Sequence, residues 1–237
     1  MRVNLVEPLV IQEENRLKYK SVFDIIGPIM VGPSSSHTAG AARIGRVARK
    51  LFGGQPMRAE ITFYGSFAKT YQGHGSDVAT VAGILDFDTF DLRLKNSLLL
   101  AEKAGLEVIL TTSDVLTEHP NTARIKLSDD QHQIEIVGVS IGGGKIEVLE
   151  VNGFDLQLGF DTPTLLVLHE DRFGMIAAVA KVLTHYRINV GLMEVSRHDR
   201  GSQALMAIET DSTVSPEVLE EIRQIPHIFD VSLLSLN

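Results

Sequence analysis

Cysteine is absent from the 237-residue chain. Its absence excludes disulfides, thiolate nucleophiles and every cysteine-ligated metal site within this polypeptide, so no metal site of that kind is expected here. An excess of positive charge is missing too. Lys and Arg number 22 against 30 Asp and Glu, a formal net charge of -8, which argues against a nucleic-acid partner because such binding needs a basic face. The one dense basic stretch, Arg43 to Lys50, is interleaved with apolar residues and reads as a solvated helix face. No apolar run approaches the ~20 residues that span a bilayer. Glu13 and Glu14 interrupt the only apolar stretch near the start, so no membrane association and no signal peptide are expected, and the expected compartment is the cytoplasm. Neither a nucleotide fingerprint after a strand nor a PLP-binding lysine motif is evident. With 44% hydrophobic residues the chain can bury one large core or two modest ones.

Against these absences stands one dense polar stretch, Gly27-Pro-Ile-Met-Val-Gly-Pro-Ser-Ser-Ser-His-Thr-Ala-Gly40. Ile44, Val47, Ala48, Leu51 and Phe52 follow it at i, i+3, i+4, i+7 and i+8, the stripe of a helix from about Ser36 to Phe52 that Gly53-Gly54 stops. Any of Ser34, Ser35 or Ser36 can cap that helix, since a serine oxygen accepts from first-turn N–H groups. Free N–H groups, hydroxyls and the positive helix end together suit a small anion such as a carboxylate. His37, in the same turn, adds a group that moves protons near neutral pH. On spacing alone a capped helix with an exposed histidine accounts for the pattern equally well.

Gly32-Pro-Ser-Ser-Ser-His-Thr38 resembles the signature of the iron–sulfur-dependent L-serine dehydratases, specifically their beta subunit. A second segment, Tyr64-Gly-Ser-Phe-Ala-Lys-Thr-Tyr-Gln-Gly-His-Gly-Ser-Asp77, is similar to the family's Gly-Ser…Thr…Gly-His-Gly-x-Asp run, although Tyr71 and Gln72 replace a shorter, more basic link. It also resembles the serine-responsive intervening domain of some phosphoglycerate dehydrogenases. His119-Pro-Asn-Thr122 resembles a third family motif, where pattern alone gives an ordinary Asn-containing turn. The resemblance implies conversion of L-serine to pyruvate and ammonia with a 4Fe–4S cluster as Lewis acid. Because this chain lacks cysteine, the cluster's ligands would sit on a separate alpha subunit, making that subunit a partner. His37 and His74 are implied as catalytic groups, and Ser34, Ser35, Ser36, Thr38, His119 and Asn121 as substrate-binding groups. The alternative is a non-catalytic amino-acid-sensing module related to the regulatory domains of phosphoglycerate dehydrogenase.

Along the chain, residues 1–20 show no clear period, and Ser21 to Ile26 begin a first helix or extended segment. Alternation predicts a strand over Arg58 to Tyr64. Gly73-His74-Gly75 reads as a turn around a histidine, with Ser76 or Asp77 capping a helix that carries Val78, Val81, Ala82 and Leu85. A helix over Asp91 to Gly105 places Leu94, Leu98 and Ala101 on one face. Strands follow at Leu106 to Thr111, Ala123 to Leu127, Gln133 to Ile141 and Lys145 to Val151. The triple glycine Gly142-Gly143-Gly144 lacks a P-loop context and reads as a hairpin turn.

Composition breaks near Asn152 to Pro163, dividing the chain into residues 1–155 and 162–237. The second part orders as strand Thr164 to His169, helix Phe173 to Tyr186 (Ile176, Val179, Ala180 and Leu183 inward), strands Ile188 to Ser196 and Gln203 to Thr210, helix Pro216 to Ile225 behind Ser215, and strand Ile228 to Leu236. That βαββαβ order is the ferredoxin-like split unit. His169-Glu-Asp-Arg-Phe-Gly174 and Ile188-Asn-Val190 resemble the ACT regulatory module, with Phe173 in place of the usual proline. The resemblance implies an amino-acid effector site of His169, Asp171, Gly174 and Asn189, and ACT-mediated homo-association. The fold class expected is mixed α/β (α+β): a serine-dehydratase beta domain followed by an ACT domain.

Overall fold

The computed structural model describes residues 28–236, so the readings made for residues 1–20 and Ser21 to Ile26 lie outside the described residues. The chain order is a π-turn (Ser35–Ala39), α1 (Gly40–Phe52), β1 (Arg58–Tyr64), α2 (Gly65–His74), α3 (Ser76–Ile84), a 3-10 turn (Leu92–Asn96), α4 (Ser97–Lys103), β2 (Glu107–Ser113), β3 (Thr122–Ser128), β4 (Gln133–Gly142), β5 (Lys145–Val151) and β6 (Phe154–Leu158). Then come β7 (Thr164–Glu170), α5 (Met175–His185), β8 (Val190–Arg197), β9 (Gln203–Thr210), α6 (Pro216–Arg223) and β10 (Ile228–Leu234).

The first six strands form one sheet in the order β2-β1-β3-β4-β5-β6. Only β1 and β2 are parallel; the helical stretch between them supplies the crossover a parallel pair requires. Alternation does the sorting. Ala59, Ile61 and Phe63 of β1 and Ala123, Ile125 and Leu127 of β3 are buried, while the opposite face carries ion pairs such as Arg124 with Glu135 and Glu150. Across the buried face lies α1, with Ile44, Val47, Ala48 and Phe52 inward. Helix α3 crosses α1 at unusually short range. A Cβ on Gly45 would lie 2.2 Å from the Thr80 carbonyl oxygen, and one on Gly83 would lie 2.0 Å from that of Ala42. The missing side chains are what allow the two backbones to touch.

The second sheet, β10-β7-β9-β8, is wholly antiparallel. Leu165, Val167, Met206 and Ile208 face α5 and α6 in one core. Leu166, Leu205, Ala207 and Leu234 face the other way and belong to the same core as Ile44 and Ile136 of the first unit. A sheet covered on both faces explains why β9 is buried continuously from Ala204 to Ile208 rather than alternately.

Several expectations are corrected. Gly73 and His74, expected in a turn, belong to helix α2, and the turn falls on Gly75 alone (φ 67°). Neither Ser76 nor Asp77 is the cap of α3; that position is Gly75. The helix expected over Asp91 to Gly105 changes from 3-10 to α winding at Ser97. This rotates the stripe, so Leu94 and Ala101 are buried but Leu98 faces outward. The composition break at Asn152 to Pro163 contains β6, which extends the first sheet to Leu158. In the second unit the helix begins at Met175, because Gly174 takes φ 92°, a left-handed conformation outside the helix. Its inward stripe is therefore Met175, Val179, Val182 and Leu183, with Ile176 half exposed.

Candidate functional site

Three segments far apart in sequence meet here: the π-turn and α2 enclose His37, and residues 119–121 brace the start of α2. Of the three candidate caps, Ser34 is the one used: its Oγ accepts from the His37 N–H at 3.1 Å. The chain then widens into the π-turn, with Thr38 N–H and Ala39 N–H both reaching the Ser34 carbonyl at 2.9 and 3.3 Å. Single π-turns recur at functional sites because they re-aim a side chain without ending the helix. Here the turn aims His37 at α2. Its Nε2 lies 3.0 Å from Ser66 Oγ and its Nδ1 lies 3.0 Å from Ser36 Oγ. The ring packs edge-on to Phe67 at 5.3 Å and sits 4.7 Å from the His74 ring, centroid to centroid.

Partial burial, and secondarily the neighbouring His74, lower the His37 pKa below 6.5. A neutral imidazole at neutral pH is a proton acceptor. Both flanking groups are hydroxyls, which donate or accept by rotating, so either ring tautomer is satisfied.

The third motif meets the second at Gly65. The Pro120 carbonyl accepts from Ser66 N–H at 2.6 Å and from Phe67 N–H at 3.4 Å, capping α2 from outside. A Cβ on Gly65 (φ 54°) would lie 2.5 Å from that carbonyl oxygen, so only glycine admits the contact. His119 and Asn121 flank Pro120. His119 Nδ1 accepts from Asn121 N–H at 3.1 Å, and Asn121 Nδ2 donates to the Ser140 carbonyl at 3.4 Å.

The structure thus brings Ser34, Ser36, His37 and His74 together, with His119 and Asn121 one contact further out. Thr38 is buried, and its hydroxyl donates to the His74 carbonyl at 2.9 Å. It holds α1 to the end of α2 instead of facing the opening. Among the described residues the Ser35 hydroxyl has no partner, which leaves it able to bind a ligand.

Two neighbours went unselected in the sequence. Ser66 lies inside the second motif, where its spacing carries no signal of its own. Ser140 stands on β4 in an apolar alternation that carries no signal; it is fully buried, and its Oγ has no partner. Gly40 makes room for it, since a Cβ there would lie 2.1 Å from Ser140 Oγ. His74 Nδ1 is a second buried atom without a partner.

Among the described residues Ser34 to Ser36 and His37 are each partly exposed, so the cluster forms one accessible wall. Among the described residues no group of three or more His, Cys, Asp or Glu is placed to hold a metal ion. With no cysteine anywhere in the chain, its donor set does not fit an iron–sulfur cluster.

The second candidate cluster is divided. His169 is buried with Nδ1 2.8 Å from the Glu170 carbonyl and Nε2 without a partner. Asp171 accepts from Gly201 N–H at 3.0 Å and from Arg197 at 3.2 Å, which hold its carboxyl below the usual carboxylate range. Gly174 stands close by in sequence with open space where a Cβ would be. Asn189 is elsewhere. It donates to Asp211 Oδ2 at 2.6 Å, next to Val190, which pairs with Thr210, whereas His169 pairs with Ala204. Six strand residues, about 20 Å, separate the two ends. One chain does not place them side by side.

Two family models match separate parts of the chain. Residues 21–99 match the model for the serine dehydratase beta chain, and residues 163–227 match the ACT domain. The chain is 55% identical over 219 residues to the "Probable L-serine dehydratase, beta chain" of Bacillus subtilis (strain 168), covering 92% of this chain and 100% of that one. It is 36% identical over 204 residues to the L-serine dehydratase beta chain of Peptoniphilus asaccharolyticus, covering 85% and 92%. A weaker similarity, 28% over 200 residues, reaches the D-3-phosphoglycerate dehydrogenase of Methanocaldococcus jannaschii, covering 83% of this chain but 37% of that protein. Among the described residues no helix is long and apolar enough to cross a membrane. The chain belongs to the serine dehydratase beta chain family and carries an ACT domain toward its C-terminal end.

Proposed function

We propose that the chain is the beta subunit of an L-serine ammonia-lyase, forming one wall of an active site completed by an alpha subunit that carries a 4Fe–4S cluster. The overall reaction removes the α-proton and β-hydroxyl of L-serine as water, and the resulting enamine hydrolyses to pyruvate and ammonia. On the partner's side the cluster supplies a Lewis acid for the hydroxyl. This chain supplies the rest. The Ser35 hydroxyl and the first-turn N–H groups bind the substrate carboxylate. His37, neutral and held between Ser36 and Ser66, exchanges one serine hydroxyl for the substrate and accepts or returns a proton at that ring nitrogen. His74 shapes the charge His37 feels, and His119 and Asn121 form the outer side of the substrate pocket.

The observation that carries this reading is the placement of Ser36, Ser66 and His74 around His37, a partly exposed histidine whose pKa is lowered by partial burial. In this reading residues 1–155, extended through β6, form the catalytic wall, and residues 162–237 form a regulatory domain. His169, Asp171 and Gly174 make half of an amino-acid effector site, which Asn189 of a second copy completes on association. The similarity to phosphoglycerate dehydrogenase across both units supports a second reading, a sensing module without catalysis.

Co-expression with a cysteine-bearing partner and anaerobic purification separates the two. A coloured complex that forms pyruvate from L-serine, with the isolated chain colourless and inactive, is expected. A stable complex with a full cluster and no turnover overturns the catalytic reading.

A further inference from the structure

Residues 29–33, which lead into Ser34, form neither helix nor strand. The π-turn starts where they end, so whatever holds them also sets the turn. Thr89 does this. Its hydroxyl donates to the Ile29 carbonyl at 2.8 Å, and its own carbonyl accepts from Val31 N–H at 2.7 Å. Thr89 is buried, so water competes weakly for these bonds. Gly32 (φ 130°) then lies directly on Thr38: a Cβ there would fall 2.4 Å from Thr38 Cγ2. Thr38 belongs to the π-turn and donates to the His74 carbonyl. In packing this close, a shift of residues 29–32 is passed by contact to the turn that carries His37.

Thr89 is held in its turn. Asp88 Oδ1 accepts from Thr89 N–H at 2.6 Å, and Asp88 Oδ2 accepts from Arg46 Nη1 at 2.6 Å. Short bonds to a charged group are the stronger kind. Arg46 stands on α1 and also donates from Nε to Asp86 Oδ1 at 3.0 Å. The same Nη1 reaches the Leu236 carbonyl at 3.4 Å, just beyond β10. Leu234 and Leu236 pack in the core of the first unit. One guanidinium therefore touches the end of the C-terminal sheet and, through Asp88 and Thr89, the entry to the His37 turn. Its planar fork suits this, since several donors leave it at fixed angles.

We propose that Thr89, Asp88 and Arg46 are positioning residues for the His37 turn, and that the C-terminal unit acts on the catalytic wall through this strut. None of the three touches the substrate; they act by fixing where Ser34 to Ser36 stand. The effect on catalysis rests on the reading of the wall given above, whereas the mechanical link does not. Transmission needs an element with two arrangements. Here they are Leu236 docked on Arg46 and Leu236 released. Release takes one partner from Arg46 Nη1, and Asp88, Thr89 and residues 29–32 lose their anchor in sequence.

Hydrogen exchange on the isolated full chain and kinetics of the reconstituted complex test the two parts separately. Thr89→Val keeps the shape of the side chain and removes its donor. Exchange at Val31, Thr38 and Ala39 should rise about tenfold while residues 123–127 stay protected. In the complex, KM for L-serine should rise about tenfold with kcat changed far less, because the carboxylate contacts at Ser35 move. Thr89→Ser restores the hydroxyl and should recover most of both. Arg46→Gln should loosen residues 29–39 and residues 233–236 together. Combined with Thr89→Val it should add little, since both act on one route. Faster exchange confined to Val31, with Thr38 and KM unchanged, overturns the positioning role. Arg46→Gln that loosens residues 233–236 alone, or losses that simply add in the double variant, removes the link between the units. A wild-type complex with a full cluster and no turnover defeats the catalytic reading instead, and the exchange pattern still decides whether the strut holds the turn.

Discussion

The clusters around His37 and His169 use similar parts: a histidine near the end of one element, a nearby hydroxyl or carboxylate, and a glycine at positive φ. They differ in how they are closed. At His37 the fold lays α2 against the π-turn, so Ser36, Ser66 and His74 all reach the ring within a single chain. At His169 a continuous antiparallel sheet holds Asn189 at the opposite end. A crossover connection gathers residues, and a ladder spaces them at fixed intervals. The first cluster is therefore complete as a wall, whereas the second is a half-site.

The sharpest way to break the comparison is His37→Ala in the reconstituted complex. With the cluster content unchanged, kcat should fall by about 10²–10⁴, the range for loss of a general acid or base. Retention of the wild-type rate would make the His37 cluster as incomplete as its counterpart. Ser35→Ala should instead raise KM, by about tenfold, through one lost carboxylate contact.

Ser66 sharpens the same point, as a positioning residue. Ser66→Ala should lower kcat about tenfold with little change in KM, and Ser66→Thr, which restores the hydroxyl, should recover much of it. Equal losses in both variants would show that only the start of α2 had been disturbed.

A smaller effect concerns pH. His37 has a lowered pKa, so it is deprotonated above 6.5, and activity and its stability contribution are lost as pH falls through the lowered folded value. His74→Gln removes one of the causes of the lowering, and the acid limb of kcat/KM should move up toward 6.5. An unmoved limb would assign that limb to another group.

The least effect is expected at the half-site in dilute chain. Amino-acid binding there should appear only at concentrations where two copies associate, and Asp171→Ala should weaken it. Tight binding by a demonstrably monomeric chain would show that Asn189 takes no part.

Much of this molecule was legible beforehand. The periods of Arg58 to Tyr64, Lys145 to Val151 and Gln203 to Thr210 predict strands that the structure reproduces, because a half-buried or buried strand writes its environment into consecutive residues. The βαββαβ order of the C-terminal unit was equally plain. Helix α2 was not. With glycine at 65 and 73 it has weak local propensity, and its first N–H groups are satisfied by Pro120, more than fifty positions later in the chain. No local pattern carries such a cap.

Sequence by itself determined most of the element types and the absence of any thiolate ligand, which follow from side-chain identity and short-range periodicity. Ser34–Ser36, His37 and His74 were singled out by the family resemblance of the motifs that hold them. Only the tertiary structure decided that Ser66 holds His37, that Thr38 is spent on packing, that Asn189 stands apart from His169, and that Thr89 reaches Ile29 and Val31. Each of these depends on which distant backbones meet and on the small clearances at Gly40 and Gly65. Such clearances are set by the joint packing of several elements, and no single stretch of residues encodes them.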